Sequence, residues 1–234
     1  MSKLAPFDDL LKQYYALQYH QDPLILDRLN DAHIWLKERM KRTHSVLFNQ
    51  PQYHLMAQYF LNRLYGGPDF DPLANQIERL LKYAHKVEKF IPDNAIKTGT
   101  KSVRLAVLAM HLDEQIALQI LKDYPIDQPI TDEMMRLTLL KLDQKQQRLQ
   151  QLALLDDLGE TLDKYMRSFV IYTAFKMSKN AAHKHNFDLM YEFIQEGFSA
   201  MKPMKSAEKF ITSFTAVERE IIEKVHSGHS DPFY

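Results

Sequence analysis

The sequence predicts an all-α fold, a single-domain multi-helix bundle of about nine helices over residues 1–234. Three observations point there. Apolar residues recur at the spacing of a helix face almost throughout. Leucine dominates while valine, which strands favour, is sparse. Glycine, which weakens helix interiors, occurs only six times in 234 residues.

The elements follow from these signals in order. A first helix is expected from about Asp8 to His20. Asp22-Pro23 then supplies an N-cap followed by proline at the first helical position, where its missing N–H costs nothing; that helix should reach Phe48. Pro51 opens the next, to Tyr65, with Tyr53, Met56, Phe60 and Leu64 on one face. Gly66-Gly67-Pro68 breaks it. Asp71-Pro72 repeats the cap-plus-proline signal and starts a helix to Phe90, striped by Leu73, Ile77, Leu80, Ala84 and Val87, and Pro92 breaks again. A long helix follows from Asp93 to Lys122, ended by Pro125 and Pro129. Thr131, with Asp132 and Glu133 behind it, suits the positive end of a helix running to Asp156. Gly159 reads as a joint, and the remaining helices span Glu160–Ser178, His183–Met201 and Pro203–Ser227. The last has the cleanest stripe: Ala207, Phe210, Ile211, Phe214, Ile221, Ile222 and Val225. The tail from Gly228 lacks helical pattern.

No linker rich in Pro, Gly or Ser divides the chain, and 123–131 is the best candidate sub-boundary. There are no cysteines, which removes disulfides, thiolate metal sites and cysteine nucleophiles. No glycine pair has the spacing of a P-loop or dinucleotide fingerprint; Gly99-Thr100-Lys101-Ser102 lacks the upstream glycine. Thirty Lys+Arg balance thirty Asp+Glu, which argues against general nucleic-acid or membrane-surface binding. No signal peptide or membrane-spanning run is visible, so a cytoplasmic location is the default expectation.

One segment resembles a known family. Tyr59-Phe60-Leu61-Asn62-Arg63-Leu64-Tyr65-Gly66-Gly67-Pro68-Asp69-Phe70 is similar to the signature of the FFLEELY motif proteins, an uncharacterised bacterial family. Its pattern is two aromatics, Leu, two polar residues, Leu-Tyr-Gly-Pro, one variable position and Asp-Phe. Here Tyr59 stands where the family has Phe, and one extra glycine follows Tyr65. The segments Phe193–Phe198, Ala207–Phe210, Glu218–Ile222 and His229–Phe233 follow the family's order, so the resemblance spans most of the chain from Tyr53. It implies an all-helical protein and carries over no catalytic residues.

Five constellations remain to be weighed. Tyr59, Phe60, Tyr65 and Phe70 bring aromatics to one helix end, either as a contact surface or as an anchor fixing the angle between two helices. Asp113 or Glu114 falls on the apolar face of Val103, Val107, Met110 and Ala117, where a carboxylate needs a partner. It is then a buried acid able to serve as base or ligand, or a structural ion pair with Arg63, Arg104 or Arg136. Glu223 and His226 have one Glu-x-x-His spacing where a di-iron bundle uses two, and no HExxH exists, so no metal site and no cofactor are expected. From 164 to 186 the chain carries Lys164, Arg167, Lys176, Lys179 and Lys184 and no acid, interleaved with Phe169, Ile171, Tyr172 and Phe175. This is a patch for a phosphate, an acidic partner or an anionic lipid surface, or else a solvated face with cations at a helix C-terminus. The 11 methionines line an adaptable pocket or fill the core.

The resulting expectation is a non-enzymatic protein-interaction or regulatory module with a protein partner, touching it through Tyr59, Phe60, Tyr65, Phe70, Lys176, Lys179 and Lys184. The alternatives are a module binding an apolar or anionic small molecule between helices, and an enzyme using Asp113 or Glu114. Homodimerisation along an apolar stripe stays open.

Overall fold

A computed structural model describes residues 2–65, 70–87, 93–166 and 168–234. The fold is all-α, and no strand occurs among the described residues. α1 (Ala5–Tyr15) leads through a 3-10 turn (Gln18–His20) into α2 (Pro23–Thr43) and the short α3 (Ser45–Phe48). α4 (His54–Tyr59) runs into a π turn (Phe60–Leu64), and α5 (Phe70–Val87) and α6 (Asp93–Asp123) follow. Then come α7 (Asp132–Leu142), α8 (Lys145–Met166), α9 (Phe169–Met177), α10 (Lys179–Lys184), α11 (Asp188–Met201) and α12 (Ala207–His226).

The long α6 is the hub, packing on α1, α2, α7 and α8, while α12 lies along α8. Leu10, Tyr14, Ala74, Leu81 and Met110 join α1, α5 and α6 in one core cluster. Phe48, Met56, Phe210 and Phe214 build a second between α3, α4 and α12. Trp35, Ile116, Ile120, Met135, Val225 and Phe233 build a third. The caps at Asp22 and Thr131 form as expected: Asp22 Oδ1 accepts from Leu24 N–H at 2.9 Å and Thr131 Oγ1 from Met134 N–H at 3.2 Å. Arg28, buried on α2, donates to the carbonyls of Pro125 and Gln128 at 3.2 and 3.0 Å, and to that of Ile126. It thereby pins the loop between α6 and α7.

Several expected boundaries move, each for a local reason. The first helix stops at Tyr15 because the 3-10 turn places Tyr19 in the core. His44 is a joint between α2 and α3 rather than a mid-helix residue. The helix expected to reach Asp156 breaks at Asp143, whose φ of 48° is left-handed, a conformation that a short polar side chain tolerates. The chain folds back there so that α8 can cover both α6 and α12. Asn186 (φ 56°) plays the same part before α11, and the expected helix Glu160–Ser178 divides at Ser168, which caps α9.

Gly159 is no joint. It lies inside α8, where a Cβ would stand 2.6 Å from Ile211 Cδ1, so its bareness lets α8 and α12 approach. On α5 the inward stripe is Phe70, Ala74, Ile77, Leu81 and Ala84, while Leu80 is exposed. Phe70 against the Tyr14 ring, 6.2 Å between centroids, sets that rotation. The expected breaks at Gly66–Pro68 and Pro92, and the end at Phe90, lie outside the described residues. The tail lacks helix as expected, yet it is anchored, with Phe233 buried against Trp35.

Candidate functional site

Two places concentrate chemistry, one inside and one outside. The inner one is a polar knot where α2, α6, α8 and α12 meet the residue that ends the π turn. In that turn Tyr65 N–H donates to Phe60 O five residues back at 2.8 Å, and the wider coil turns the Tyr65 ring inward. Tyr65 Oη donates to Asp113 Oδ2 at 3.0 Å. His33 Nε2 lies 3.3 Å from the same oxygen. Arg148 Nη1 stands 3.9 Å from Asp113 Oδ1 and donates through Nη2 to Leu112 O at 3.4 Å. Farther along α2, Arg39 grips Glu218 with both terminal guanidinium nitrogens. His44 Nε2 meets Glu218 Oε1 at 2.6 Å, with its ring stacked 4.3 Å from Phe214.

Burial sets the electrostatics of the knot. His33, Arg39, His44 and Asp113 are all buried. Burial lifts the Tyr65 hydroxyl well above the ordinary tyrosine range, and the Asp113 charge adds to it against Arg148 and Arg39. Burial also pulls the Glu218 carboxyl up, but Arg39 and His44 outweigh it and hold that group down at about 2. The charges pair with one another inside the fold, while His33 Nε2, Asp113 Oδ1 and Arg148 Nε stay buried without a hydrogen-bond partner among the described residues. Two clefts lie away from the knot. One is lined by Tyr124, Leu137 and Leu140, the other, of about 460 Å³, by residues of α10 and α11 such as Lys179, His183 and Glu192.

The aromatic corner read from the sequence is divided among four neighbours. Tyr59 Oη donates to Phe193 O at 2.9 Å, Phe60 packs 4.8 Å from Phe214, Tyr65 enters the knot, and Phe70 leans on α1. Asp113 and Glu114 are both buried but part company: Glu114 Oε1 accepts the Tyr19 backbone N–H at 2.9 Å and so holds the 3-10 turn. Neither uses the arginines that the sequence offered. Arg63 pairs with Glu196 at 2.9 Å, Arg136 with Glu133 at 2.6 Å, and Arg104 is exposed. Glu223 is exposed beside Lys145, and His226 faces Asp143. No group of three metal-ligating side chains converges among the described residues.

The outer place is α9 and α10. Phe175 stacks 4.4 Å from Tyr191, and Tyr172 meets Phe198 at 5.2 Å; these rings fasten α9 to α11. The other side of α9 is uncovered: Phe169 is 81%, Val170 74% and Met177 79% exposed. Lys176, Lys179 and Lys184 are exposed beside them, with Lys176 Nζ 4.9 Å over the Tyr172 ring.

Sequence reasoning missed His33, Arg39, His44, Arg148 and Glu218. The signal existed for two of them. Leu29-His33-Leu36-Met40 and Phe214-Glu218-Ile221-Val225 each set one polar residue in an apolar stripe at helical spacing, the same anomaly that singled out Asp113. Phe169, Val170 and Met177 were missed as a group because an apolar run reads as core until its neighbours are known.

A family model, described as a domain of unknown function (DUF8198), matches residues 16–232. No curated protein and no solved structure matches the chain.

Proposed function

We propose that this chain, which belongs to the DUF8198 family, is a non-catalytic binding module that docks through α9 and α10 onto an acidic counter-surface able to accept apolar side chains. One observation carries this: the most exposed large apolar side chains of α9, Phe169, Val170 and Met177, sit beside the acid-free stretch of Lys176, Lys179 and Lys184. Water-exposed apolar groups that neighbour one another are a cost to a folded protein unless something covers them. The lysines select for negative charge in whatever does so.

The test is photo-crosslinking from position 170 in the native host. A photoreactive phenylalanine analogue replaces Val170, and a control carries it at Ile126, which is also exposed. Adducts specific to position 170 that disappear in the Lys179→Glu/Lys184→Glu background are expected. The same adducts from both positions, or none at 170, would overturn the assignment.

A further inference from the structure

We infer that the acidic counter-surface is an anionic lipid bilayer; this inference rests on the docking face assigned above and names its occupant. α9 is apolar on two sides. Its inner rings hold it to α11, and its outer side presents Phe169, Val170 and Met177 as protruding side chains rather than as the wall of a groove.

Three occupants can cover such a face, and charge and area separate them. A second copy related by a two-fold axis through this face would set one basic stretch against another; the stretch from 164 to 186 holds no acid, and two of the three acids beside it are paired within the chain. A stable protein partner buries about 800 Å² on each side, far more than three side chains of a nine-residue helix supply. A bilayer needs no matching groove. A few inserted apolar side chains combined with a few cations give reversible, salt-sensitive attachment, each signal being marginal alone. Tyr172, half-exposed under Lys176, has the amphipathic character of residues that settle at a headgroup boundary.

The neutrality of the whole chain argues against a membrane binder that uses its entire surface, and leaves a segregated patch untouched. Acids do line the α11 side of the cleft beside α10. Two of them are already engaged, Asp188 with His183 at 2.8 Å and Glu196 with Arg63 at 2.9 Å; Glu192 is the third.

The experiment is flotation of the full chain with vesicles of phosphatidylcholine alone or mixed with phosphatidylglycerol. Binding to the mixed vesicles only is expected, weakened at least roughly tenfold by Lys179→Glu/Lys184→Glu or by added salt, and lost in Phe169→Ser/Met177→Ser. All four positions are exposed, so circular dichroism should show every variant folded. Because the chain has no cysteine, Val170→Cys accepts a single environment-sensitive fluorophore, whose emission should shift to the blue on the mixed vesicles. No flotation of the wild type overturns the inference, and so does flotation without the blue shift, which marks adsorption by charge alone. A charge-dependent protein adduct at position 170 without vesicle binding removes the bilayer and leaves the docking face. Failure of both experiments removes both.

Discussion

Tyr65 and Asp113 meet in the interior, with the tyrosine hydroxyl donating to the carboxylate at 3.0 Å. The pair ties the end of the π turn to the central helix α6. Asp113 also faces His33 and Arg148, so one carboxylate fixes the relative placement of three helices. A buried acid without partners would be strongly disfavoured, and the same acid with three partners specifies a register.

Breaking this contact should therefore cost more from the acid's side than from the phenol's. Asp113→Ala leaves Arg148 and His33 facing an empty position and should lower stability by about 3–5 kcal/mol. Tyr65→Phe removes one hydrogen bond and should cost about 1–2 kcal/mol. The double variant should cost less than the sum, since both lose the same bond. Urea unfolding followed by circular dichroism measures all three. Additive losses would show that the two groups do not act together.

The second half of the knot predicts a pH dependence. Glu218 ionises near 4.5 in an unfolded chain and near 2 in the fold. Above 4.5 both states are ionised and the full stabilisation from Arg39 and His44 is present. As pH falls from 4.5 toward 2, the unfolded chain takes up a proton that the fold refuses, and stability drops by roughly 3 kcal/mol. The urea midpoint should thus fall with acid more steeply in the wild type than in Glu218→Gln, which lacks this titration and starts from a lower value. Parallel curves for the two proteins would contradict the assignment of Glu218.

Gly159 sets two effects against each other. Alanine is the better helix former by about 1 kcal/mol, which alone would make Gly159→Ala stabilising. The new methyl group, however, would sit 2.6 Å from Ile211 Cδ1 and 3.2 Å from its Cβ, and overpacking of this kind costs about 1–3 kcal/mol. Crowding should win, lowering the melting temperature by about 2–4 °C. Ile211→Val in the same chain should recover part of the loss, because it removes the nearest atom. A rise in melting temperature for Gly159→Ala alone would mean that α8 and α12 are free to move apart.

How far the sequence reached follows from these residues. The all-α class, the caps at Asp22 and Thr131 and a carboxylate at Asp113 or Glu114 on an apolar face were legible, because each depends on local pattern; that both acids are buried was not. Asp143 and Asn186 were not recognised as breaks, since left-handed backbone at a non-glycine residue is settled by where the following helix must pack. Gly159 was misplaced for the converse reason: a glycine within a helix looks like a joint until Ile211 of a distant helix is known to press on it. The partners of Asp113 lie 48 and 80 residues upstream at Tyr65 and His33, and 35 downstream at Arg148, separations that no local periodicity reports. The outward apolar face of α9 was hidden likewise, because its spacing alone cannot say which side finds a neighbour.

The chain's single tryptophan offers a direct view of the tail. Trp35 is buried on α2, its ring 5.0 Å from Phe233 and its Nε1–H donating to Asp132 Oδ1 at 2.9 Å. Asp132 also accepts from Arg42 at 2.9 Å and from Tyr234 Oη at 3.1 Å. The tail therefore closes over α2 and the start of α7, although its sequence has no helical pattern. Phe233→Ala should open this lid, at a cost of about 3–5 kcal/mol if the site does not collapse, and should shift Trp35 emission to the red as water reaches the indole. An unshifted emission in Phe233→Ala would mean that other side chains shield Trp35, and that the tail lies on the bundle without sealing it.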